Sequence, residues 1–223
     1  MRKLVTEISA LKTSLPSGIF IRYAASRLDT MKILIISPCG TPYEHGFFEF
    51  DLFCPLEYPR VAPRMQFRTT AGGTVNPNLY EDGKICLSLL GTWSGEPWRP
   101  GQSTILQLLV SIQSMILCEN PWYNEPGRED RVQRTESDNY NIQARDWTLQ
   151  HAIKPWLSKL SANEIPDPIL TGLWGNVIHF HLRHHAAEIK QSHTEAHLYR
   201  TNASLTTAVR AVNGALKMKG FLN

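Results

Sequence analysis

Apolar positions recur along this chain with two different periods, the helical repeat and the alternation of a strand, and each predicts a different element. Between residues 3 and 12, Leu4, Ile8 and Leu11 fall on one helical face with Val5 beside them, while Arg2, Lys3 and Lys12 lie off the stripe. Pro16-Ser17-Gly18 ends that segment. Four strand-like runs follow: Ile19 to Ala24, Met31 to Ser37, Gly46 to Phe53 and Met65 to Arg68. The third alternates, with Phe48, Phe50 and Leu52 facing one way and Phe47, Glu49, Asp51 and Phe53 the other. The spacings between runs are too short for crossovers, so an antiparallel meander is expected.

The second half of the chain is helical in pattern. Thr104-Ile-Leu-Gln107 fits a capping box, and Ile105, Leu108, Leu109, Ile112, Met115 and Ile116 then form a wide apolar stripe. Tyr140, Ala144, Trp147 and His151 recur at helical spacing up to Pro155. Residues 128–135 are charged and read as a mobile link, and 161–168, with Pro166 and Pro168, read as a connector. Beyond it, one helix is expected with Ile169, Leu173, Val177 and Phe180 on its buried face. A second is expected from Ser204 to Met218 through Leu205, Val209, Val212 and Leu216. The pattern predicts an α+β protein: a four-stranded sheet flanked by an N-terminal, a central and several C-terminal helices.

Composition narrows the classes. An apolar content of 42% is enough for a sizeable core, and 223 residues fit one large domain or one domain with an extension. The net charge of +3 implies no polyanionic partner, so nucleic acid is not expected. No run approaches about 18 apolar residues, so no membrane span is expected. Cys39, Cys54, Cys86 and Cys118 show neither CxxC pairing nor zinc spacing, which suits free thiols in the reducing cytoplasm or nucleus. His181/His185 and His193/His197 have a metal-compatible i, i+4 spacing, but with no acidic or thiol partner to complete a set they read as a solvated face.

The stretch from Asn76 to Ser88 carries the candidate chemistry. Asn76-Pro77-Asn78 and Asp82-Gly83 are turn signals, and Cys86 follows among apolar neighbours. A thiolate can form a thioester, and the amide of Asn78, eight positions upstream, can meet the oxyanion that forms when a nucleophile attacks it. An accessible thiol at the rim of a groove is therefore expected. The nearest histidines are His45 and His151, so a Cys–His pair could form only through space.

These residues resemble the active-site stretch of ubiquitin-conjugating enzymes. The family pattern is His-Pro-Asn, a Gly-x-Ile-Cys-Leu turn, a Trp and an amphipathic helix. It is matched here by Asn76-Pro77-Asn78, Gly83-Lys84-Ile85-Cys86-Leu87, Trp98 and the helix near Thr104. Asn-Pro-Asn-Leu-Tyr and the Leu-Leu-Gly-Thr-Trp insertion after the cysteine are most similar to the very large members that combine carrier and ligase functions. The resemblance covers roughly residues 1–160, leaving 161–223 as a helical C-terminal extension. It implies that Cys86 accepts ubiquitin from an activating enzyme and passes it to a lysine of a protein substrate, alone or with a ligase. It needs no metal or organic cofactor, and it gives Asn78 and Glu125 (in Asn124-Glu125-Pro126, a loop beside the active site) supporting catalytic roles. Asn76 stands where the family has His, and Arg60 where a ligase-docking apolar residue commonly follows Tyr-Pro. Trp98 is expected in the core and Trp93 is expected to pack rather than stand exposed. Alternatives are an inactive binding module of the same fold, or a carrier for another ubiquitin-like modifier.

Overall fold

The computed structural model describes residues 2–73, 75–128, 134–195 and 202–222. The first helix, α1 (Arg2–Ser14), buries Leu4, Ile8 and Leu11 and leaves Val5 in solvent. The strands are β1 (Ile19–Ala24), β2 (Arg27–Ile36), β3 (Phe47–Phe53) and β4 (Arg64–Phe67), ordered β1-β2-β3-β4 with every pair antiparallel. The expected meander is present. β2 starts earlier than its hydrophobicity predicts, because Arg27 already pairs with Ala24 across the turn at Ala25-Ser26. Backbone pairing there outweighs the polar side chains.

The strand period of two gives the sheet two unlike faces. Ile33 pairs with Phe50 and Ile35 with Phe48, and these four pack on α2 (Ile105–Ser111) and the wider turn that continues it over Ile112–Ile116. Thr104 caps α2 with the expected reciprocal box: its hydroxyl accepts from Gln107 N–H and the Gln107 side chain accepts from Thr104 N–H. A buried carboxylate adds to it. Glu7 of α1 accepts the Ile105 N–H at 2.8 Å and the Tyr58 hydroxyl at 2.7 Å, so α1, the proline loop and the start of α2 share one anchor. Met115, expected in the buried stripe, is 59% exposed instead. The π-helical turn at Ile112–Ile116 has more residues per turn than an α-helix and rotates Met115 off the buried face.

The opposite face is covered by the end of the chain. The helices are α3 (Arg134–Trp147), continuing through a π-helical stretch to α4 (Lys154–Leu157), then α5 (Pro168–Thr171), α6 (Gly175–Glu195) and α7 (Ala203–Met218). Leu34, Ile36 and Phe47 of the sheet join Trp174, Ile178, Leu182, Val209 and Val212 in a second apolar cluster. The expected face of the first tail helix is overturned: Ile169 is 91% exposed, and Leu173 and Phe180 are exposed too. Gly172 breaks the chain with a positive φ of 60°, so Ile169 and Phe180 belong to different helices. The buried stripe is Trp174, Ile178, Leu182, Ala186 and Ile189, a steady helical period one position out of phase. The last helix keeps its expected face, with Leu205, Val209, Val212 and Leu216 buried.

Two of the four histidines read as solvated are not. His181 is largely enclosed against His45, and His193 is 1% exposed, packed against Arg145. Sequence spacing could not show this, because both partners come from elsewhere in the chain. His197, and most of the charged stretch at 128–135, lie outside the described residues. Among the described residues no helix is long and apolar enough to cross a membrane.

Leu182 is fully buried between α6 and the sheet. Leu182→Ala is expected to cost about 2–5 kcal/mol in urea denaturation. Ile169→Ala, at an exposed site, is expected to change stability by less than about 0.5 kcal/mol.

Candidate active site

The loop that presents Cys86 is built by two asparagines and a glycine. Asn76 is fully buried; its Oδ1 accepts the Asn78 N–H at 2.8 Å, and its Nδ2 donates to the Ile116 carbonyl at 2.7 Å and to the Tyr43 hydroxyl at 3.0 Å. That Tyr43 hydroxyl donates in turn to the Val75 carbonyl at 3.0 Å. The chain then reverses at Asp82-Gly83. Gly83 has φ 88°, and any Cβ there would stand 2.7 Å from the Phe67 carbonyl oxygen, so the turn requires glycine. After the reversal the Cys86 N–H donates to the Asn78 carbonyl at 2.8 Å, and the Asn78 Nδ2 donates to the Cys86 carbonyl at 3.0 Å. Asn78 thus grips Cys86 by both backbone groups, while its Oδ1 is buried without a partner.

The far side of the cysteine is held by the insertion. Thr92 Oγ1 donates to the Ile85 carbonyl at 2.6 Å and accepts the Leu87 N–H at 3.0 Å, bracketing Cys86 in the chain. The end of the central helix closes the site from below. A helix C-terminus leaves carbonyls without partners; here Asn76 takes the Ile116 carbonyl and Asn124 Nδ2 takes that of Met115 at 3.0 Å. The helix end therefore fixes both loops beside the cysteine.

Cys86 lies at the floor of an open cleft of about 740 Å³, whose walls include Asn78, Ser88, Trp93, Met115 and Asn124. The thiol expected at a groove's rim is recessed instead: Cys86 is only 3% exposed and is reached through the cleft. Trp98 packs on the core with its indole N–H donated to the Pro59 carbonyl at 2.8 Å. Trp93, expected to pack rather than stand exposed, is partly buried in the cleft wall. Arg60 is exposed on its loop.

Tyr80 is a neighbour that the sequence reading missed. Its phenol is pushed up, first by the neighbouring Cys86 side chain, then by burial and the charges of Glu125 and Asp82. The signal was in the turn: once Asp82-Gly83 reverses the chain, Tyr80 pairs with Lys84 and comes close to residue 86. Glu125 is thus near the site, but Tyr123 and Asn124, not Glu125, line the cleft. The structure brings Cys86 and Asn78 into direct contact and leaves Glu125 at the margin. The other thiols are held protonated, as burial pushes Cys54 up to about 12 and also raises Cys118 and Cys39. Among the described residues no histidine lines the cleft: His45 faces His181, and His151 packs on Trp147. No protease-like Cys–His pair is formed among the described residues. Among the described residues no cluster of three or more metal-ligating side chains is present.

A four-stranded meander backed by a central helix, with a cysteine on a tight turn at an open cleft, defines a ubiquitin-conjugating fold. Residues 3–148 match the family model for ubiquitin-conjugating enzymes, and the chain belongs to that family. It is 43% identical over 189 residues to the human dual E2 ubiquitin-conjugating enzyme/E3 ubiquitin-protein ligase BIRC6, a match covering 81% of this chain and 4% of that protein. To the probable ubiquitin-conjugating enzyme protein 17 of Caenorhabditis elegans it is 44% identical over 187 residues, covering 78% of this chain and 25% of the relative. To the putative ubiquitin-conjugating enzyme E2 39 of Arabidopsis thaliana it is 44% identical over 144 residues, covering 63% and 45%. The chain spans less than half the length of each.

Thr92→Val keeps the shape of the side chain but removes both hydrogen bonds. It is expected to cost about 1–3 kcal/mol and to speed amide exchange at Leu87, measured by denaturation and hydrogen exchange.

Proposed function

We propose that this chain accepts the C-terminal glycine of ubiquitin from an activating enzyme as a thioester on Cys86 Sγ, then delivers it to a lysine of a substrate protein, in the cytoplasm or nucleus. The observation that carries this reading is the placing of Cys86: one recessed thiol at the floor of an open cleft, its backbone clamped on both sides. The cleft leads an extended peptide end to the sulfur and keeps the acyl group oriented for attack. In the transfer step the uncharged lysine nitrogen attacks the thioester carbonyl carbon. A tetrahedral oxyanion forms, the C–S bond breaks, Cys86 leaves as thiolate and the nitrogen loses its proton to solvent. The product is an isopeptide bond.

Asn78 acts chiefly as a positioning residue in this scheme, since its amide nitrogen is already donated to the Cys86 carbonyl. It serves the oxyanion only by exchanging that bond for a new one as charge develops. Glu125 attracts the incoming lysine ammonium. A carboxylate also favours the charged amine, so its benefit is in orientation rather than deprotonation. The human relative's name joins conjugating and ligase activities, and the same union is proposed for any longer chain that carries this domain.

Incubation with activating enzyme, ATP and ubiquitin is expected to give a conjugate that reductant cleaves. Cys86→Ser is expected to give at most a reductant-resistant oxyester, and an unchanged reducible conjugate overturns the assignment. Asn78→Ala is expected to slow discharge to free lysine by roughly 10²-fold, read as single-turnover decay of the loaded thioester. Glu125→Ala is expected to raise the lysine concentration needed for half-maximal discharge while leaving charging unchanged.

A further inference from the structure

A cavity of about 810 Å³ lies away from Cys86, between α6 and the loop at 37–46; its walls include Cys39, His45, His181, His185 and Glu188. Two contacts pin α6 there. His45 Nδ1 stands 3.1 Å from His181 Nε2. Farther along α6, His193 Nδ1 lies 3.1 Å from Arg145 Nη1, which also donates to Glu44 Oε1 at 2.7 Å. His45 itself is buried with φ 60°, the one non-glycine residue with positive φ among the described residues. A left-handed backbone at such a residue persists only where surrounding contacts enforce it.

Each contact limits the protons it can hold. The two imidazole nitrogens share one hydrogen; the pair keeps that bond with one ring charged through its far nitrogen, but charging both rings sets N–H against N–H. A guanidinium has only donors, so His193 Nδ1 must offer its lone pair to Arg145, and its proton sits on Nε2, which is buried without a partner. We propose that these histidines form an acid-released latch: charging both rings of the His45–His181 pair, together with proton uptake at His193, undocks α6 from the 37–46 loop while the sheet and α2 stay folded.

The surroundings have the sign this requires. Burial lowers the pKa of His45, drives that of His181 down to about 3 and lowers that of His193 well below its usual range. The loop contributes Glu44 and Cys39, α3 contributes Arg145, and α6 contributes His185 and Glu188. The carboxylates of Glu44 and Glu188 favour protonation of His45, but burial outweighs them, and His185 opposes it. Glu188 is drawn to His185 at 2.7 Å on the exposed side. Docked α6 thus holds the neutral imidazoles. Its docking is complete above the free-histidine pKa of about 6.5 and weakens as pH falls below it, by up to tenfold per pH unit for each proton excluded.

The test is hydrogen exchange of the full chain from pH 8 to pH 5, corrected for intrinsic exchange, comparing peptides of α6 with peptides of α2. The expected result is α6 opening that rises between tenfold and 100-fold per pH unit below about 6.5, with α2 still protected. In the double variant His181→Gln, His193→Asn, which keeps acceptors in place and leaves His45 as the one titrating ring of the three, the rise is expected to be smaller, by up to tenfold per pH unit for each ring replaced. A flat profile in the parent chain, an equal rise in the variant, or α2 opening together with α6 overturns the latch. Should the variant fold poorly, ¹⁵N imidazole shifts of the parent chain decide: His193 and at least one ring of the His45–His181 pair remaining neutral at pH 6 with α6 protected supports the proposal, and His193 or both rings of the pair titrating near 6.5 with α6 still docked overturns it.

Discussion

Everything around the candidate nucleophile depends on satisfying buried backbone groups in a segment that is neither helix nor strand. Such a segment survives inside a protein only if each N–H and C=O finds a partner. Asn76 partners two backbone groups and one side-chain hydroxyl from a site with no solvent exposure: it orders its own turn, ties that turn to the end of the central helix and reaches Tyr43 on the loop between β2 and β3. An asparagine serves here because one amide both donates and accepts. The histidine that the family resemblance implies at this place is not needed for that work.

The same logic recurs with charge. Glu7 joins α1, the proline loop and the start of α2, and the Glu44–Arg145 pair joins the 37–46 loop to α3. Ions out of water lose hydration that pairing only partly restores, so such joints are weak sources of net stability. Their effect here is geometric. Each fixes the angle at which one element meets another, and the central helix so oriented carries the carbonyls that hold the two loops at Cys86.

The C-terminal helices are part of this fold rather than an appendage to it. Leu34, Ile36 and Phe47 of the sheet are covered by Trp174, Ile178 and Leu182, so the outer sheet face and α6 bury one another. Similarity to the human relative likewise covers more of the chain than its first 160 residues.

Much of this was legible in one dimension. The meander, the capping box at Thr104, the last helix and the Asn76–Cys86 turn are local: short periods and turn residues specify them because their partners lie within a few positions. The phase of α6 was not, since Gly172 interrupts the stripe from Ile169 to Phe180 and a period alone does not say where a helix begins. Nor were Thr92 and Tyr80 at the cysteine, the recess of its thiol or the burial of His181 and His193. Each depends on groups brought together only when the chain folds back on itself. What the sequence determined by itself was the set of elements and the one turn that carries a thiol. The tertiary structure decided which face of each element met another, because burial and hydrogen bonding are properties of pairs, and most of these pairs are distant in the chain.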